Sequence, residues 1–191
     1  MRDIALFAFV FGMLPFILKQ PYIGVLAWSW LSYMNPHRLT WGPAYDFPFA
    51  QLVAVTLFVS LVLNPEKQRF PASRIVVVWV LFLLWTLVST YFAYFPHSAW
   101  EYETRVFKIQ IILFISLWLM GSPERIKLMV WVIFVSVGFF GIKGGIFTIL
   151  TGGSGRVYGP AASFIAENNA LAVALLMVIV ITSAAVSPPA P

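Results

Sequence analysis

The sequence predicts an all-α fold, a polytopic transmembrane helix bundle of six or seven helices. Three observations carry that prediction. Of the 191 residues, 61% are hydrophobic and 10% charged, and the mean hydropathy is +0.89, whereas a soluble domain is about 25% charged and about half apolar. Seven acids and twelve bases cannot cover a globule of this size, so lipid is the expected solvent for most of the chain. The apolar residues also fall into seven runs with short polar or proline-bearing breaks, enough at about 20 residues per crossing for six or seven helices. Residues 1–186 form the predicted membrane domain, and Ser187–Pro191 a short Pro/Ala tail.

The first run is Ile4–Leu18, opened by Met1-Arg2-Asp3. One base beside an acid, with no small-x-small pattern after Leu18, predicts a retained first helix rather than a signal peptide. Tyr22–Met34 follows after only Lys19-Gln20-Pro21, so these two short runs form a tight pair, either spanning or a tilted, re-entrant hairpin. Phe49–Leu63 is the third run. Ile75–Phe95 and Ile126–Leu150, the fourth and sixth, are long enough to span outright; Val106–Met120 and Asn169–Val186 complete the set. Asn35-Pro36, Asn64-Pro65 and Ser122-Pro123 each pair a capping residue with a proline whose missing N–H costs nothing at the first helical position, and so mark helix starts. Trp28, Trp30, Trp41, Trp79, Trp100 and Trp118 fall near predicted span ends, as an interfacial aromatic belt requires.

Basic loops set the expected orientation. Asn64–Arg74 carries Lys67, Arg69 and Arg74 against Glu66, and the turn near Arg125 and Lys127 is basic as well; both are expected to be cytoplasmic. Alternation then places Asn35–Pro48, Pro96–Arg105 and Thr151–Asn168 together on the opposite side, with Lys19 inside.

The net charge of +5 is spread singly between apolar runs without a basic stripe, which excludes nucleic acid as the expected partner. With no cysteine, disulfides and thiolate metal sites are excluded. His37 and His97 make no metal spacing, and no Ser-His-Asp order, paired-carboxylate motif, P-loop or HExxH is present. The most informative stretch is Gly152–Ala172, GGSGRVYGPAASFIAENNALA. Its glycines let backbone approach a ligand, Arg156 offers a fork suited to phosphate, and Glu167, Asn168 and Asn169 cluster where the last helix begins. This is either a glycine loop with an ordinary helix cap or an external anionic-ligand site. Lys143 lies within the sixth run among Gly138, Gly141, Gly144 and Gly145. Gly141-x-x-x-Gly145 predicts close helix packing, and a kinked helix end placing the ammonium beside a lipid headgroup is the functional alternative. Lys108 is close enough to an interface to snorkel. The segment Asn35–Phe49 gathers His37, Arg38, Trp41, Tyr45 and Asp46, a mixture that suits either a carbohydrate- or headgroup-binding surface or a membrane interface. Glu101 and Arg105 are i,i+4 and expected to pair; Glu103 is expected to be a solvated or paired loop residue.

PYIGVLAWSWLSYMNPHRLTWG, Pro21–Gly42, and GRVYGPAASFIAENNALA, Gly155–Ala172, resemble the bacterial O-antigen ligase/polymerase superfamily, and within it the O-glycosylation ligases associated with exosortase A systems. The resemblance runs from Met1 to about Ile181 and matches the N-terminal half of such ligases. It implies a multi-pass protein of the bacterial inner membrane that transfers saccharide from a polyprenyl-diphosphate carrier to a protein or polysaccharide acceptor, with neither a metal nor another cofactor. It further implies that Arg156 holds the carrier diphosphate, with Gly159, Asn168 and Asn169 completing the motif; Lys143 and Arg38 are further candidates for substrate binding. Membrane lipids, the lipid-linked glycan, and a C-terminal ligase half or exopolysaccharide machinery are the partners it implies. The C-terminal half of such ligases, with its large periplasmic loop and functional histidine, has no counterpart in this sequence. His37 and His97 match no such position, so the catalytic residue stays unassigned and the chain is expected to be inactive alone, as a truncated or split ligase. A non-catalytic membrane scaffold and a small transporter subunit of a polysaccharide export system are the alternatives; a transporter would need several spans lined with polar residues.

Overall fold

Each of the seven apolar runs forms a helix: α1 (Arg2–Lys19), α2 (Pro21–Met34), α3 (Phe49–Leu63), α4 (Arg74–Tyr91), α5 (Pro96–Leu119), α6 (Pro123–Leu150) and α7 (Asn168–Val186), with a 3₁₀ turn at Pro36–Leu39. The computed structural model describes residues 1–65, 70–161 and 163–186, and no strand occurs among them. The basic residues Lys67 and Arg69, Glu66 beside them, and the tail from Ser187 to Pro191 lie outside the described residues. The chain divides into two compact units, Met1–Pro65 with Ser122–Pro191, and Glu66–Gly121.

In the first unit α1, α2 and α3 pack on one another, α2 also packs on α6, and α6 on α7. The close approach of α1, α2 and α3 depends on Gly24, where a Cβ would come within 2.9 Å of Ile17 and 3.0 Å of Leu57. The buried Ser60 hydroxyl donates to the Ile17 carbonyl at 2.6 Å, and Asn64 Nδ2 donates to the Leu18 carbonyl at 2.6 Å. Around α6 and α7 a core of Val137, Phe140, Ile165, Leu171 and Val178 forms, with Tyr33 and Met34 of α2 packed against it. The unit therefore has two distinct ends. The C-termini of α1 and α3 meet the start of α2 at one of them, where Arg125 of α6 stacks on Tyr22 at 4.5 Å. At the other, Asp3 Oδ1 accepts from the Ala44 amide at 3.3 Å, and Asn35 Nδ2 donates to the Ala161 carbonyl at 2.9 Å.

The second unit is the α4–α5 hairpin. Trp79 and Phe114 stack between its helices at 4.5 Å. Glu103 is buried there, its Oε1 accepting from Thr86 at 2.9 Å and its Oε2 from Thr90 at 3.4 Å. This corrects the expectation of a solvated or paired loop residue: Pro96–Arg105 is no loop but the first turns of α5, and the helix turns Glu103 toward α4. Glu101 and Arg105 do pair, at 2.5 Å on the exposed face.

Among the described residues only α4 and α6 are long and apolar enough to cross a membrane, as the fourth and sixth runs predict. α2 and α3, with 14 and 15 residues, measure about 21–23 Å against a hydrocarbon core of about 30 Å. α1 carries Arg2, Asp3 and Lys19 within its 18 residues, and α5 begins with several charged residues. The α4 and α6 windows are only 11% and 22% buried among the described residues.

Of the three predicted starts, Ser122 caps α6, accepting from the Arg125 amide at 3.3 Å. Asn64 instead ends α3, and α4 begins at Arg74 behind the cap Ser73. Asn35 ends α2 in the left-handed region (φ 47°) and opens only the 3₁₀ turn; its side chain serves the Ala161 carbonyl rather than a cap.

Candidate functional sites

Two clefts in the first unit collect four of the six predicted site residues, Arg38 and Lys143 in one and Arg156 and Asn168 in the other, and α6 separates them. The first, of about 900 Å³, is lined by Arg2, Arg38, Leu39, Thr40, Trp41, Gly42, Tyr45, Asp46, Phe139 and Lys143. The second, of about 360 Å³, is lined by Arg156, Asn168, Thr148, Val157, Leu171, Ala172, Leu175 and the glycines 141, 144, 145 and 155. At about 100° per residue, Phe139 and Lys143 point from one side of α6, and Gly141, Gly144, Gly145 and Thr148 from the other. No single ligand group is therefore held by both Lys143 and Arg156.

The first cleft is built by pinning the segment after α2 onto α1. Asp3, at the first turn of α1, accepts from the Ala44 amide, and a Cβ on Gly42 would come within 2.8 Å of its carboxylate. Phe47 packs on Phe7 at 5.1 Å and on Phe49 at 4.7 Å. Held this way, Arg38 lies 4.4 Å over the Tyr45 ring and donates to Asp46 Oδ1 at 3.4 Å. Arg2 and Lys143 complete a cleft with three cations and one carboxylate. Arg2 escapes sequence reasoning because a single base at the start of an apolar run reads as topology alone. His37, one residue before Arg38, carries a buried Nδ1 without a hydrogen-bond partner. Burial holds its pKa below the ordinary value, the Arg38 guanidinium adds to the effect, and Asp46 opposes it.

The second cleft rests on glycines with separate tasks. Gly152 and Gly153 adopt φ of 61° and 80° and end α6, the Gly153 amide donating to the Thr148 carbonyl at 2.9 Å; left-handed backbone at a helix end favours glycine. Gly159 donates its amide to the Ala166 carbonyl at 3.0 Å, and a Cβ there would overlap the Ile165 carbonyl oxygen. Gly159 thus ties the loop together and does not line the cleft. Gly141 faces Leu175 of α7 at 2.7 Å from a would-be Cβ, and Gly144 faces Val157, while Gly145 meets nothing within 4 Å. The close-packing pair is Gly141 and Gly144, a correction to the Gly141–Gly145 spacing. α6 runs helical through the whole glycine stretch. Asn168 is half-buried at the start of α7 and reaches the cleft with Arg156; Asn169 is exposed and does not line it.

Among the described residues, an all-helical fold with two helices long and apolar enough to cross a membrane, and with cationic clefts clustered around the C-terminal half of α6, is the class these features define. The chain belongs to DUF5935, a family of unknown function whose profile matches residues 1–187. No curated protein and no solved structure matches it.

Proposed function

We propose that this chain is the N-terminal membrane portion of an inner-membrane glycan ligase that acts on saccharide linked to a polyprenyl diphosphate. The observation that carries the reading is the meeting of Arg156 and Asn168, twelve residues apart in the resembling motif, in one small cleft with a glycine wall. The multi-pass reading draws support from the low internal burial of α4 and α6 and from the apolar character of α3 and α7; shorter helices cross where the bilayer thins or partner helices cover them.

In the proposed reaction an acceptor hydroxyl oxygen bonds to the anomeric carbon. The bond from that carbon to the diphosphate oxygen breaks, the electron pair stays on the diphosphate, and the hydroxyl proton passes to water. Charge grows on the leaving diphosphate, where preorganised cations contribute most. Arg156, exposed and without a side-chain partner among the described residues, supplies a bidentate fork for it. Asn168 presents its amide on the same cleft and orients the sugar or the diphosphate.

Arg156→Lys in the full-length protein tests this, since lysine keeps the charge and loses the fork. Glycan transfer is expected to fall on the order of 10²-fold while the protein stays in the membrane at normal abundance. Undiminished transfer overturns the diphosphate role of Arg156.

A further inference from the structure

Beside the cationic cleft runs a second opening of about 300 Å³ that shares Arg2, Leu39 and Thr40 with it. Its remaining wall is apolar: Leu6 and Phe9 of α1, Trp30 of α2 and Pro36. Phe9 and Trp30 meet edge to face at 5.1 Å, and Phe9 remains 53% exposed. Within this single unit, an apolar groove thus opens directly out of a cleft that holds three cations and one carboxylate.

We infer that cleft and groove together form a binding site for an anionic phospholipid, separate from the Arg156 cleft. The lipid's phosphate sits between Arg2, Arg38 and Lys143, and one acyl chain follows Leu6, Phe9 and Trp30. The charge balance chooses the head. Arg38 is already engaged by Asp46 and Tyr45, whereas the side chains of Arg2 and Lys143 have no hydrogen-bond or ion-pair partner among the described residues, and charge-assisted bonds to phosphate oxygens would satisfy both. The groove chooses the tail, because exposed apolar wall continuous with a phosphate-binding cleft gains from burying hydrocarbon. A free phosphate would use only the cleft and leave the groove empty. A zwitterionic headgroup would bring its own cation among three others. The site stands on these contacts and not on the ligase reading.

The test is native mass spectrometry of the full chain in detergent, titrated with dioleoyl phosphatidate, dioleoyl phosphatidylcholine or inorganic pyrophosphate. Phosphatidate is expected to bind at least about tenfold tighter than phosphatidylcholine. Lys143→Gln, a change at an exposed position, is expected to remove most of that preference, and Lys108→Gln in the other unit to leave it intact. Phe9→Ser is expected to weaken phosphatidate and leave pyrophosphate unchanged. Equal affinity for the two lipids, or a preference that survives Lys143→Gln, overturns the head assignment. Phosphatidate binding indifferent to Phe9→Ser overturns the groove. Each of these outcomes is independent of glycan transfer in the Arg156 variant.

Discussion

At the scale of single residues, His37 shows how a polar group can be legible in kind and not in consequence. The sequence places it in a polar, aromatic segment beside Arg38, Tyr45 and Asp46, and those four do come together. Its Nδ1 is buried and unpartnered, and the Phe49 ring lies 6.2 Å from the imidazole, a contact no local pattern announces. Because burial and Arg38 hold its pKa below the ordinary 6.5, the unfolded chain binds the proton more readily than the folded one. Stability therefore rises with pH across this window: the contribution is complete above about 6.5 and is lost as pH falls from there through the lower folded pKa. Thermal unfolding in detergent is expected to show a lower midpoint at about pH 5.5 than at about pH 7.5. His37→Gln is expected to flatten that difference; a variant with the same pH slope as wild type would assign the slope to another group. Arg2 marks the opposite limit of legibility, since its place in the cleft depends on Asp3 drawing the segment around Ala44 back onto α1.

At the scale of elements, the lengths of the apolar runs and the breaks between them predict six or seven helices, seven are found among the described residues, and the errors lie where partners from other elements decide. A proline after an asparagine reads as a helix start, yet Asn64 is drawn to the Leu18 carbonyl of α1 and Asn35 to Ala161. Both asparagines thus end α-helices, and neither begins one. Glu103 is missed for the same reason: its burial exists only because Thr86 and Thr90 of α4 face it across the hairpin. Ser122 has no such competitor, and here local chemistry is enough. Its hydroxyl accepts from the Arg125 amide, one of the donors that the first turn of α6 leaves free. Ser122→Ala is expected to cost about 1 kcal/mol, read as a lower unfolding midpoint in detergent, and Ser122→Asp to restore it, since an acidic cap also suits the positive end of the helix dipole. A loss in Ser122→Asp as large as in Ser122→Ala would show that the serine matters through something other than capping.

For the whole molecule, the sidedness of the first unit is the property its architecture makes most open to test. The ends of α6 separate two groups of charge. Arg125 and Lys127 lie at its start, the end where α1 finishes in Lys19; Lys143 and Arg156 lie toward the other, the end where α1 begins in Arg2. Counting bases without structure gives only a modest preference for the first group inside, because Arg2, Arg38 and Lys143 count against it. The fold changes the weight of those three. They line one cleft, which is reason enough for their presence, so they need not be read as orientation signals, whereas Arg125 and Lys127 flank the start of a span and line neither cleft. That the predicted site residues divide between opposite faces of α6 was not legible from their spacing, because Lys143 and Arg156 are joined by a glycine turn whose direction only the folded chain sets. α6 has 28 residues, about 42 Å of helix, which is long enough to cross a core of about 30 Å even when tilted. A reporter fused after Lys127 is therefore expected to give a cytoplasmic signal, and one fused after Ser154 an exported signal. The exported side then holds both clefts and the Gly159 loop, where a lipid-linked glycan is presented in the proposed reaction. The reverse pair of signals would invert the molecule and remove the ligase reading with it, while two signals on the same side would show that α6 does not span.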